Sequence, residues 1–281
     1  MADTVNSDFL LCAGRRLHVR LWHRTGTRTV VIWHGVTGTC RDHDALAAHI
    51  AGRGWRVIVP DALGCGLSDW AQDADHDHSL TSYADMARDL LRQLDAPVVD
   101  WIGTSKGGGL GIVLAGAPDS PIRRMVLNDV GPTLPASFCT AIAKRLADPP
   151  TFDSYADFRS HLARFIERGG GLVDDAMLDH LTLVWGRRSD DGRVTYHHDR
   201  ALAGQFLHHP EDFALWPQWD AMTCPVLLLR GELSPVLSAA EAEEMTRRGP
   251  RTTLVTLAGQ GHVNFLDHPE HWQAINAFLD N

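Results

Sequence analysis

The residues best equipped for chemistry stand in one stretch, residues 98–111, which reads VVDWIGTSKGGGLG. Ser105 sits in a Gly-x-Ser-x-Gly pentapeptide that closes an apolar run over 98–102, and Gly107, Gly108 and Gly109 then open a helical pattern over 110–117. A serine hydroxyl is a weak nucleophile until the backbone presents it and a base lies within reach. Strand, sharp turn and helix supply the presentation. The turn holds the serine backbone in a strained conformation, so the residues two places before and after it, Gly103 and Gly107, must have almost no side chain. The helix start aims backbone N–H groups at charge developing on a substrate. The pentapeptide alone also fits an ordinary glycine turn; the flanking strand and helix point to a nucleophile elbow.

A base is available at His262, in a GQGH segment after the last strand-like run, where glycines leave the imidazole room to reach across the strand tops. The elements that must position these two groups alternate. Residues 9–11 and 17–22 flank Ala13-Gly14-Arg15 as a hairpin at a sheet edge. Buried strands are expected at 29–33, 56–60, 98–102, 121–128, 226–229 and 252–257. Helices are expected between them, one opened by Ser82 with Asp85 as a capping box, and others over 238–247 and 270–279. Strands alternating with helices predict an α/β fold with a doubly wound, mostly parallel sheet. Over 133–222 the alternation stops, no buried strand is expected, and aromatics are scattered through helix and loop. The predicted organisation is therefore a core over 1–132, a helical lid over 133–222 and the rest of the core over 223–281.

The bulk properties set limits. At 281 residues, 44% hydrophobic and 22% charged, the chain has the make-up of an ordinary globular protein. A net charge of -9 argues against a nucleic-acid or anionic-membrane partner, since either needs a basic face. Five scattered cysteines without CxxC spacing read as reduced thiols, which points to a cytoplasmic protein. The N-terminal MADTVNSDFLLCAGRR lacks the apolar region of a secretory signal, and no run has the length of a membrane span.

Taken in order, HGVTG, DALGCGLSD, GTSKGG, RGELS and GQGHVNF, with LNDVGP after the sixth strand, resemble the α/β-hydrolase superfamily over nearly the whole chain. They are closest to a bacterial group sharing HGVT, GTSxGG and LNDVGP. The resemblance implies an eight-stranded sheet with an inserted helical lid. It also implies Ser105 as nucleophile, His262 as base, and an oxyanion hole made by the backbone N–H groups of Val36 and Lys106. The chain departs from the family at the acid, which usually follows the strand at 226–229; there it has Ser234 and Pro235. Three alternatives stay open: Asp129 after the sixth strand, no acid at all, or Glu232. The Lys106 side chain has two readings, an ammonium paired with a lid carboxylate or a group that holds an anionic substrate.

The remaining clusters carry less. Asp73, Asp75, His76, Asp77 and His78 match no regular metal spacing, and His197-His198 and His208-His209 read as lid surface or pocket rim rather than ligands. Neither a metal nor an organic cofactor is expected. Lid aromatics imply an apolar, mid-sized pocket for a small-molecule substrate. The expected activity is serine hydrolysis of a carboxylic ester, lactone or activated C–C bond. The rivals are a cofactor-free oxygenase or lyase using His262 and Asp129, and a ligand-binding protein with a decayed triad.

Overall fold

The computed structural model describes residues 5–23 and 28–281. The first four residues of the N-terminal segment read for a secretory signal lie outside the described residues. β1 (Asn6–Cys12) and β2 (Arg15–Trp22) form the edge hairpin, paired antiparallel from Asn6 with Leu21 to Cys12 with Arg15. β3 (Thr29–Trp33), α1 (Asp44–Gly52), β4 (Arg56–Pro60), α2 (Leu80–Gln93), β5 (Val99–Thr104), α3 (Lys106–Ala115) and β6 (Ile122–Asn128) alternate as expected. After a long insertion come β10 (Val226–Gly231), α9 (Ala239–Arg247), β11 (Thr252–Leu257) and α10 (Pro269–Asp280). The eight strands form one sheet in the order β1-β2-β4-β3-β5-β6-β10-β11, parallel from β4 to β11.

Each central strand is buried on both sides because successive side chains point to opposite faces. In β3, Val31 and Trp33 join the core under α2 and α3, whereas Val30 and Ile32 join the core under α1 and α10. Trp33 stacks on Trp101 of β5 with ring centroids 5.4 Å apart. Fully burying each such large apolar side chain contributes roughly 1.5–3 kcal/mol. The helix at 80–93 begins a turn earlier than the Ser82–Asp85 pairing predicts. Ser79, in extended conformation, accepts the Ser82 N–H at 3.1 Å and is the N-cap. Asp85 faces Arg88 instead.

The insertion between β6 and β10 holds α4 (Ala136–Ala147), β7 (Thr151–Phe152), α5 (Tyr155–Arg168), α6 (Asp175–Trp185), β8 (Gly186–Arg188), β9 (Val194–Tyr196), α7 (Ala203–His208) and α8 (Trp216–Ala221). One expectation is corrected here. Strands β7-β9-β8 form a second, antiparallel sheet, and β9 is buried throughout. A three-residue strand is too short for alternation to reveal it. Around β9, Phe158, Leu162, Leu181 and Trp185 pack as a separate apolar cluster, so these aromatics mostly bury one another. Among the described residues, no helix is long and apolar enough to cross a membrane.

Candidate active site

The ends of β3, β5, β6 and β11 converge where an open parallel sheet places its ligands, outside the carboxyl ends of the strands. Ser105 leaves β5 with φ 51° and ψ -117°, a region costly for a side-chain-bearing residue. The elbow glycines permit this turn: a Cβ on Gly103 would collide with the Gly107 carbonyl, and one on Gly107 with the Trp33 carbonyl. The Ser105 N–H donates to Asn128 O at 3.1 Å, tying the elbow to the end of β6.

His262 Nε2 lies 3.1 Å from Ser105 Oγ, and His262 Nδ1 lies 2.8 Å from Asp129 Oδ2. Because Asp129 can only accept when ionised, Nδ1 carries the proton and Nε2 keeps its lone pair for the serine hydroxyl. Asp129 is 1% exposed and sits in the left-handed region at φ 53°. Its Oδ1 accepts the Gly231 N–H at 2.9 Å, and its Oδ2 also accepts the Ser234 hydroxyl at 2.5 Å. Of the three alternatives for the acid, the structure brings Asp129 to the histidine. The Glu232 carboxylate is turned to the Gly259 N–H at 2.8 Å. Ser234, which sequence reasoning considered only as a missing acid, is Asp129's hydrogen-bond donor; no local signal marks it, because the two are joined only through the strand order. The glycine before the histidine gives close approach rather than freedom. Gly261 packs against Gly169 and donates its N–H to Gly170 O at 2.8 Å, so the histidine loop is pinned to the end of α5.

Among the described residues, the backbone N–H groups of Val36 and Lys106 have no acceptor, and both residues line the cavity that contains Ser105. Lys106 is the first residue of α3, so its N–H is one of the helix's unpaired first-turn donors, at the positive end of the helix dipole. The Val36 loop is held by His34. His34 Nε2 accepts the Ala62 N–H at 2.9 Å while Nδ1 reaches Gly35 O at 2.7 Å, which fixes a neutral ring.

The cavity has a volume of ≈ 320 Å³. Phe138, Phe165, Phe206 and Phe213 of the insertion share its wall with Leu80, Leu215 and Val236. Arg145 and Arg168 also line it, are exposed, and have no carboxylate partner among the described residues. The paired-ammonium reading of Lys106 is corrected: among the described residues no carboxylate lies in ion-pair contact with it, Asp212 of the insertion acting only at longer range, while Nζ stands 3.7 Å over the Tyr83 ring and burial holds its pKa down to about 7. His197 and His198 are likewise not lid surface or rim, because both are buried within the structure.

The residues of the 73–78 turn are engaged in structure. Asp77 takes the Arg15 guanidinium and the N–H groups of Gln72 and Asp73, and His78 meets the Tyr83 hydroxyl at 2.8 Å. Among the described residues, His18, Cys40 and Asp61 form the one close set of metal-ligand types. Both Asp61 oxygens are already used, by the Cys40 N–H at 2.6 Å and by His18 and the Leu67 N–H, and burial pushes the Cys40 thiol pKa up. Asp61 thereby ties His18 of β2 to Cys40 and to the turn that holds Leu67. The five cysteines are all buried and free.

The buried histidines predict an acid-side loss of stability. Burial holds His34, His197 and His198 down to about 4, against 6.5 for a free histidine. Between these values the unfolded chain binds protons that the fold does not, so stability falls as pH drops from about 6.5 to about 4, by up to about 3 kcal/mol per histidine. Asp42, raised to about 7 by burial, works in the opposite direction over about pH 4–7 and offsets about one histidine's share, leaving the other two. Thermal melts should therefore show a midpoint several degrees lower at pH 5 than at pH 7. An unchanged midpoint would contradict this.

Known proteins resemble this chain over most of its length. The family profile described as alpha/beta hydrolase fold matches residues 28–269. A 3-hydroxybutyrate-oligomer hydrolase from Cupriavidus necator is 33% identical over 264 residues, covering 89% of this chain and 89% of the relative. The sn-1-specific diacylglycerol lipase ABHD11 of Mus musculus is 26% identical over 264 residues, covering 89% of this chain and 80% of the relative. The crystal structure of an alpha/beta hydrolase from Novosphingobium aromaticivorans superposes with a TM-score of 0.86 at 32% identity, covering 100% of this chain and 99% of that one.

Proposed function

Because the chain belongs to the alpha/beta hydrolase fold family and is an enzyme of hydrolase type, we propose that it cleaves carboxylic esters through an acyl-enzyme on Ser105. The observation that carries this reading is the continuous hydrogen-bonded line from Asp129 through His262 to the Ser105 hydroxyl. Ser105 Oγ attacks the ester carbonyl carbon as its proton passes to His262 Nε2. The Val36 and Lys106 N–H groups hold the oxyanion, and Asp129 stabilises the imidazolium that forms. Collapse of the tetrahedral intermediate breaks the bond to the leaving alcohol, which takes the proton from His262. Water then repeats the sequence on the acyl-enzyme, giving up its proton through His262, and the carboxylic acid leaves as Ser105 regains its hydrogen.

The segment 133–222 serves as the lid, and its four phenylalanines suit a small apolar acyl or alcohol group. The relatives named for 3-hydroxybutyrate oligomers and for diacylglycerol support an ester over an activated C–C bond. A Ser105 hydroxyl within hydrogen-bond reach of the base favours attack by serine over a mere positioning role, as the oxygenase rival requires.

The test is direct. The purified protein should hydrolyse p-nitrophenyl butyrate and be labelled by a fluorophosphonate at a single site. Peptide mapping should find the adduct on Ser105, and the fraction labelled should equal the fraction of esterase activity lost. Hydrolysis that survives full labelling would remove Ser105 from the mechanism.

A further inference from the structure

The whole chain carries a net charge of -9, yet the wall of the cavity that holds Ser105 is basic. Besides His262, the charge-bearing side chains that line it are Lys106, Arg145, Arg168 and a single carboxylate, Asp212. Asp212 is occupied, since one of its oxygens takes the Gln205 amide at 2.9 Å and the Leu80 N–H at 2.8 Å. Lys106 Nζ is buried. The two arginines, by contrast, are exposed, and they flank one cavity residue. Arg145, near the end of α4, lays its guanidinium over the Phe165 ring, 5.0 Å from the centroid. Arg168 follows Phe165 by three residues on α5, which puts it on the same face of that helix. Both also act on one further pair of groups, His161 Nε2 and the Tyr196 hydroxyl, which lie 3.0 Å apart. Burial and then the charges of Arg164, Arg168 and Arg145 hold His161 below its ordinary value, and Arg145 and Arg168 oppose the burial that raises Tyr196 to about 12.

Neither guanidinium has a counter-ion among the described residues. Arg168 gives its Nε–H to Arg164 O at 3.0 Å, which leaves both of its Nη groups for a ligand. The walls around Arg145 strip part of its water and so lower its pKa, and no carboxylate opposes this. A partly desolvated cation without a counter-ion, set in a substrate cavity, calls for an anion. The guanidinium fork of N–H donors matches the two oxygens of a carboxylate. Resting on the ester-hydrolase reading above, we propose that Arg145 and Arg168 bind an anionic end of the substrate, so that the preferred substrate is an ester that carries a free carboxylate. A neutral ester of the same length would fill the apolar wall and leave both cations without a partner. Positive charge on two neighbouring side chains also concentrates an anionic substrate at the cavity, an effect that salt screens.

The experiment compares kcat/KM for acid esters with that for their amide analogues, which keep the shape and remove the charge. The pairs are monoethyl succinate with ethyl succinamate, monoethyl adipate with ethyl adipamate, and 4-(butanoyloxy)butanoate with 4-(butanoyloxy)butanamide. The first two place the carboxylate on the acyl side and the last on the alcohol side. At least one acid ester should exceed its amide by about tenfold or more at about 20 mM salt, chiefly through a lower KM, and that ratio should fall by about threefold or more at about 500 mM salt. Arg145→Gln and Arg168→Gln should each lower the ratio by about threefold or more, and the double variant should bring it to within about threefold of one. Arg145→Lys and Arg168→Lys, which keep the charge, should lose less. The readout is the ratio and not the absolute rate, and the salt series on the unaltered protein serves if a variant fails to fold. If the amide analogues are hydrolysed and no acid ester outruns its partner, the anion site is refuted while the ester reading stands. A preference that survives in the double variant, or that salt leaves unchanged, refutes it equally. Hydrolysis of none of the esters overturns the ester reading, and the anion site with it.

Discussion

Ser105→Ala is expected to lower kcat/KM for p-nitrophenyl butyrate by about 10³-fold or more and to abolish fluorophosphonate labelling, with the fold intact. The loss is large because the hydroxyl is the only atom removed and the one that forms the bond. Alanine keeps the Cβ and must adopt the same positive φ, so the substitution neither relieves the strain of the elbow nor opens a cavity beside it. What remains is an empty oxyanion hole and a neutral histidine, which together supply the residual rate. His262→Ala should cost a comparable factor, and the double variant little more than either single one, since nucleophile and base act as a unit. Equal circular-dichroism spectra and melting points for the variants and the parent would confirm that folding is not the cause. A single variant retaining a tenth of the parent rate would place the chemistry elsewhere.

How far the sequence could carry this depends on whether a feature is local. The elbow is local: an apolar run, five residues with glycine at both ends and a helical pattern, all within residues 98–117. The alternation of strands and helices is local as well, and it leads directly to the eight-stranded sheet. Asp129 is different. Its place before Val130-Gly131-Pro132 makes it a candidate, but its role depends on β6 lying between β5 and β10, which no short window contains. The hydrogen bond from Ser234 spans 105 positions in the chain. Lys106 shows a second kind of limit. Its residue type suggests a charge partner, and only the packing of α2 against it reveals an aromatic face and, among the described residues, no carboxylate in contact. In the insertion, the burial of His197 and His198 follows from β9 pairing with β7 and β8, a sheet too small to leave a periodic trace.

Asp129→Asn should lower turnover by about 10²- to 10⁴-fold without unfolding the protein. The size of the effect follows from the direction in which an asparagine must sit. The Gly231 N–H donates to Oδ1, so that position must keep an acceptor, and the new amide oxygen goes there. The amide nitrogen then occupies the Oδ2 position and presents N–H to His262 Nδ1. Nδ1 can accept that bond only by giving up its proton, which moves to Nε2 and removes the lone pair that Ser105 needs. The Ser234 oxygen already accepts the Val236 and Leu237 N–H groups, so its hydroxyl hydrogen loses its acceptor when Oδ2 becomes an N–H, which adds a local stability cost. Glu232→Gln should leave turnover nearly unchanged, because its carboxylate serves the Gly259 N–H instead. The Nδ1 proton of His262, followed by proton NMR, should disappear from the low-field region in Asp129→Asn. Full activity in Asp129→Asn, with that resonance unchanged, would show that the imidazole is oriented by its own loop and needs no acid.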